Sequence, residues 1–147
     1  MQRSEFKFFL TLPVRWGDMD ALRHVNNVQF FRYLESGRIA YLEHLSECLD
    51  DDLKVIDYNV ILADIQCSFK QQLHYPATLD VGIRTARFGN RSFDLLCAIY
   101  RQGEAAPVAT AKAVLVWFDF AAQRASPLPD WLRKTINAYE TMIPLAE

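Results

Sequence analysis

A chain of 147 residues that is 51% apolar, with a formal charge of −2, has the size and composition of a single globular domain, residues 1–147. Its near-neutral balance offers a polyanion or an anionic membrane little to hold, which argues against nucleic acid and lipid surfaces as main partners. The three cysteines, Cys48, Cys67 and Cys97, are odd in number, widely spaced and set among apolar residues, a pattern that predicts buried, inert thiols in a reducing compartment. The N-terminus lacks a charged-then-apolar signal pattern, and no apolar run approaches the about 20 residues that span a bilayer, so a cytoplasmic location is expected.

Residues 6–16 carry Phe6, Phe8, Leu10, Leu12, Val14 and Trp16 at alternate positions, the period of a half-buried strand. Pro13 cannot donate to a ladder, which places this strand at an edge or a bulge. From residue 28 to 49 the period changes. Phe30, Leu34, Gly37, Tyr41, Leu45 and Cys48 fall on one helical stripe, with Asn26 or Asn27 as N-cap. Gly37 within that stripe costs about 1 kcal/mol against Ala and so implies close approach of another element, such as a sheet. Ile39, on the polar side, suggests a subunit contact.

After the acidic residues 50–52 the chain reads as strands: Val60–Phe69, then Leu79, Val81 and Ile83 in alternation, a hairpin turn at Gly89-Asn90, and Phe93, Leu95, Cys97 and Ile99. Residues 102–107 form a second turn. Residues 108–120 form a long strand whose Ala109, Ala111 and Ala113 share a face and leave room for a helix. Pro127 and Pro129 open a short C-terminal helix with Leu132, Ile136 and Tyr139 on its apolar side. One long helix covers five strands most economically when a curved antiparallel sheet wraps around it. The exposed sheet edge is then a place for a second copy to pair.

The chemistry concentrates in residues 15–27, Arg-Trp-Gly-Asp-Met-Asp-Ala-Leu-Arg-His-Val-Asn-Asn. Two carboxylates, an imidazole and two carboxamides lie where a strand gives way to a helix N-terminus, whose unpaired N–H groups and dipole favour a developing negative charge. Asp20 is ionised at neutral pH if its pKa is the ordinary value of about 3.9, and can then attack or activate water. The N–H groups around Asn27 and Val28 can hold an oxyanion. Asp18 reads as a turn residue or loop brace. His24 either orients a water, carboxylate or substrate, or simply holds the loop. Glu35 stands three residues before Arg38, a spacing that suits a local ion pair. Asp18, Asp20 and His24 lack a recognisable third ligand and second shell for a metal.

The Asp18-Met19-Asp20, His24-Val25-Asn26-Asn27 and Tyr33-Leu34-Glu35 groups, with Arg38 after them, resemble the hotdog-fold acyl-CoA thioesterases similar to 4-hydroxybenzoyl-CoA thioesterase. The resemblance runs through the strand order to Phe120. It implies an α+β fold with five strands around a central helix, thioester hydrolysis without a cofactor, and a homodimer or homotetramer. It further implies that Asp20 is the catalytic carboxylate and that the backbone N–H of Asn27 forms the oxyanion hole. Some members carry His at the position of Asn27 and Tyr at that of Trp16, and many relatives carry Gly where this chain has Arg23. For an acyl-CoA substrate, Arg84, Arg87 and Arg91 are candidates to meet the phosphates, or else a solvated hairpin tip. The alternatives are an acyl carrier protein thioesterase, which should need a basic docking surface, and a non-catalytic acyl-CoA binding module. A hydratase of this fold resembles Asp-x4-His, whereas Asp20 to His24 is Asp-x3-His.

Overall fold

The computed structural model describes residues 1–48 and 59–140, together with the backbone of 145–146. Five long strands, β1 (Phe8–Pro13), β2 (Val60–Phe69), β3 (Thr78–Phe88), β4 (Ser92–Arg101) and β5 (Pro107–Asp119), pair antiparallel in the order β1-β3-β4-β5-β2. The two-residue strands β6 (Arg124–Ala125) and β7 (Leu145–Ala146) pair with β5 and β3, respectively. Helix α1 (Asn27–Glu47) lies against β3 and β1, and α2 (Asp130–Tyr139) follows the sheet. This is the expected α+β architecture of a curled antiparallel sheet around one long helix. The expected end of the helix at Leu49 and the acidic residues 50–52 lie outside the described residues.

The register aligns one apolar row across all five long strands: Phe8 pairs with Ile83, Ile83 with Cys97, Cys97 with Ala111, and Ala111 with Cys67. Leu79, Val81, Phe93, Leu95 and Ile99 face the same core, as the alternation predicted, and meet Phe30, Leu34, Tyr41 and Leu45 of α1. A fully buried apolar side chain of this size contributes roughly 1.5–3 kcal/mol. Gly37 sits where a Cβ would stand 2.7 Å from Val81 Cγ1 and 3.3 Å from the Ile83 side chain. The helix thus comes closest over β3, and not over the alanines of β5, which pack in the same core.

Four expectations are corrected. Cys48 is the exposed C-cap of α1 and Cys67 is half-buried; only Cys97 is buried, and burial pushes its thiol up to about 12. Glu35 makes its ion pair with Arg32 at 3.1 Å; Arg38 is 8% exposed and feels Glu35 through its charge, without a direct salt bridge. Burial lowers the pKa of that Arg38 guanidinium. Phe6 breaks the strand alternation: a 3-10 turn at Arg3–Glu5 carries it onto the opposite face, where it packs with Phe9, Ala98 and Tyr100. Arg3, ion-paired to Asp80, stacks over Phe9 and Tyr100 there. Trp16 leaves the strand in a second 3-10 turn, Trp16–Asp18, and is 77% exposed.

Candidate active site

Asp18 turns inward and braces the loop. It is 3% exposed and accepts from the Tyr33 hydroxyl at 2.6 Å and the Arg15 N–H at 2.9 Å, with the Arg15 guanidinium at 3.3 Å. Burial pushes this carboxyl up, but those donors and the charge outweigh it and hold the pKa below the ordinary value. Burial first, and then the bond to Asp18, push the Tyr33 hydroxyl well above the usual phenol range. The Asp18 carbonyl also accepts from the Asn26 N–H at 3.0 Å, so the brace reaches the start of the helix.

The next residues form a tight hairpin loop. Met19 and Val25 are bridged, the Asp20 N–H donates to the His24 carbonyl at 3.0 Å, and the Arg23 N–H to the Asp20 carbonyl at 3.0 Å. Loops of this kind close with a residue in the left-handed region, where Gly is favoured. Here the residue is Arg23, with φ of 67°. A side chain in that conformation costs roughly 1–2 kcal/mol. Asp20 stabilises the turn through one carboxylate oxygen, which accepts from the Leu22 N–H at 2.8 Å. Its other oxygen has no hydrogen-bond partner among the described residues.

Helix α1 starts immediately after the loop. The N-cap is Asn26: its Oδ1 accepts from the Val28 N–H at 3.0 Å and its carbonyl from the Gln29 N–H at 2.9 Å. Val28, one of the expected oxyanion donors, is therefore already engaged. The N–H of Asn27 has no acceptor among the described residues and stands at the positive end of a 21-residue helix.

Asp20, His24 and Asn27 line one side of a cleft of about 430 Å³. The opposite side comes from the end of β2 and the connection to β3: Phe69, Lys70, Gln71, Gln72 and Leu73, with Phe30 of the helix below. Backbone bonds from Lys70 and Gln71 to the Val108 carbonyl fix this wall, and Arg101 at the end of β4 holds the Gln71 side chain at 2.9 Å and the Gln72 carbonyl. No local pattern marks these residues, because they lie far along the chain from the loop. The arrangement offers a carboxylate, a helix-terminal N–H and an apolar-lined space, which together suit attack on an electrophilic carbonyl and stabilisation of the resulting oxyanion.

Arg84, Arg87 and Arg91 stand at the other end of the sheet. The cleft lies by the Thr78 end of β3, and Arg84 is six residues along that strand, roughly 20 Å away at about 3.4 Å per residue. Arg84 is 9% exposed, Arg87 pairs with Asp94 at 3.8 Å, and Arg91 is in the hairpin turn. Within one chain they do not meet Asp20. Among the described residues no group of three or more His, Cys, Asp or Glu is placed to hold a metal ion, and no helix is long and apolar enough to cross a membrane.

A sequence model of the thioesterase-like superfamily matches residues 14–136. A putative thioesterase of Pseudomonas aeruginosa, PA2801, superposes with a TM-score of 0.77 at 30% identity, covering 89% of this chain and 98% of that one. A thioesterase of Thermus thermophilus, complexed with coenzyme A and Zn, superposes with a TM-score of 0.78 at 28% identity, covering 91% of this chain and 94% of that one. The uncharacterized protein YsmA of Bacillus subtilis is 28% identical over 93 residues; the match spans 63% of this chain and 60% of that relative.

Proposed function

The chain belongs to the thioesterase-like superfamily, whose reaction is thioester hydrolysis, and from that premise we propose that it cleaves an acyl- or aryl-CoA thioester to the free carboxylic acid and coenzyme A. The observation that carries this reading is the placement of Asp20 and the unpaired Asn27 N–H on the same side of one cleft. Asp20, through its open oxygen, either activates a water that attacks the thioester carbonyl or attacks that carbonyl itself, forming a mixed anhydride that water then hydrolyses to release the acid and regenerate Asp20. The Asn27 N–H receives the oxyanion, and the coenzyme thiolate leaves. His24, on the same wall, orients the water or the carboxylate. Leu22 and Phe69, 73% and 47% exposed at the cleft, supply apolar surface for the acyl or aryl group.

In this reading Lys70, the one Lys or Arg among the described residues lining the cleft, meets a coenzyme phosphate within the chain. A second copy completes the site. Strand β2 is an edge that exposes Leu62 and Phe69, and antiparallel pairing of two such edges would turn the partner's hairpin end toward the first cleft. Arg87 and Arg91, both exposed, then serve the phosphates across the subunit boundary, whereas Arg84 is buried. Free thiols and a coenzyme A substrate fit a cytoplasmic setting.

The test is release of free thiol from short-chain, long-chain and aromatic acyl-CoAs by the wild type and by Asp20→Asn, with fold and solution mass checked in both. The substitution is expected to lower kcat about 100-fold or more. A folded Asp20→Asn variant as active as the wild type would move the carboxylate elsewhere, and a wild type inert toward every thioester would make the protein a binding module.

A further inference from the structure

We propose that His74 is a positioning residue for this reaction, holding the Asp20–His24 turn in the conformation that Arg23 resists. Its kinetic consequence rests on the thioesterase reading, whereas its structural consequence does not. Three successive residues of the β2–β3 connection grip the loop at three points. The Leu73 carbonyl accepts from the Val25 N–H at 2.7 Å, His74 Nδ1 donates to the Arg23 carbonyl at 3.0 Å, and the Tyr75 N–H reaches Met19 Sδ at 3.4 Å. Of these, the contact of His74 alone is made by a side chain of the strap, so it alone can be removed with the strap backbone left intact.

The grip falls on the residue that needs it. Arg23 is in the left-handed region, φ 67°, where an L side chain is strained, and its carbonyl direction follows from that conformation. If Arg23 relaxes, its carbonyl turns from His74, and the Asp20 carbonyl, which accepts from the Arg23 N–H, loses its partner. The His74 ring also stands edge-on to His24, with centroids 6.1 Å apart and planes at 77°, and His24 lines the cleft. A single imidazole that does not itself line the cleft thus bears on the orientation of both Asp20 and His24.

A mutant cycle tests this. His74→Leu is expected to lower kcat about 5- to 20-fold with KM changed less than twofold, because the groups at the cleft stay in place but are oriented less of the time. His74→Asn, whose amide can donate as Nδ1–H does, keeps kcat within about twofold of wild type. Arg23→Gly in the His74→Leu background restores most of the loss, since Gly occupies the left-handed region without strain. Hydrogen exchange of the Asp20 and Arg23 amides reads the same effect without substrate: several-fold faster in His74→Leu, and near wild type in His74→Asn and in the double variant. Unchanged exchange in His74→Leu, or a defect that neither Asn nor the glycine relieves, overturns the proposal. Absence of any hydrolysis by the wild type, with exchange behaving as described, would overturn the thioesterase reading and leave the strap standing.

Discussion

Asp18 and Asp20 are two residues apart and live in opposite surroundings. Asp18 is enclosed by donors, and its pKa lies below the ordinary value of an unfolded chain, about 3.9. A carboxylate with a depressed folded pKa contributes stability that is fully present above the unfolded value and is lost as pH falls through the folded one. Asp18→Asn leaves one oxygen for the Tyr33 and Arg15 donors and is expected to cost about 1–3 kcal/mol at pH 7. Urea melts between pH 3 and 7 check this: the gap between variant and wild type should narrow toward the acid end. The sequence revealed this loop because its parts are neighbours in the chain. Lys70 and His74 were not legible, since nothing local says that the end of β2 returns to residues 20–27. That the arginines near Gly89 lie away from this loop within one chain was not legible either, as a strand pattern does not say at which end of the sheet a site lies.

At the scale of elements, α1 and β3 are fitted to each other at one glycine. Gly37→Ala gains about 1 kcal/mol of helix propensity. It also drives a methyl to within 2.7 Å of Val81, a fully buried side chain that is stiff at its first torsion. Overpacking of this sort costs about 1–3 kcal/mol, so the expected result is a net loss of roughly 1 kcal/mol, read as a lower Tm. Combining it with Val81→Ala should make the two losses less than additive. The stripe of α1 and the strand alternation were readable because both report burial on a single face. The two ends of the β1 alternation failed because Phe6 directly follows one short 3-10 turn and Trp16 opens another, and beside such turns the period of two no longer decides which way a side chain points.

Across the whole molecule, Glu140 joins the C-terminal end of α2 to α1 and β3. Its carboxylate accepts from the Tyr41 hydroxyl and from the Thr85 N–H at 2.8 Å. Burial raises its pKa and outweighs those donors and the charges of Arg84 and Lys7. For an acid with a raised folded pKa, the unfolded chain ionises first, so stability falls as pH rises from the unfolded value, about 4.3, through the folded one. Glu140→Gln keeps an acceptor and removes the charge. It is therefore expected to gain on the wild type as pH rises through that window, in thermal melts from pH 4 to 8. A constant difference between the two proteins would assign the Glu140 contribution to packing alone.

The strap across the candidate site joins residues 51 positions apart, with the whole of the long helix and β2 between them. A growing chain that has emerged only as far as residue 72 holds Asp20, His24 and Asn27 but has no clamp for their turn and only part of the opposite wall. Catalytic competence is thus a late event in the life of each molecule. The helix can form early from local contacts, while the turn acquires its shape only when the second half of the sheet has folded back to meet it. In refolding, the return of activity should keep time with closure of the sheet and lag behind the return of helix.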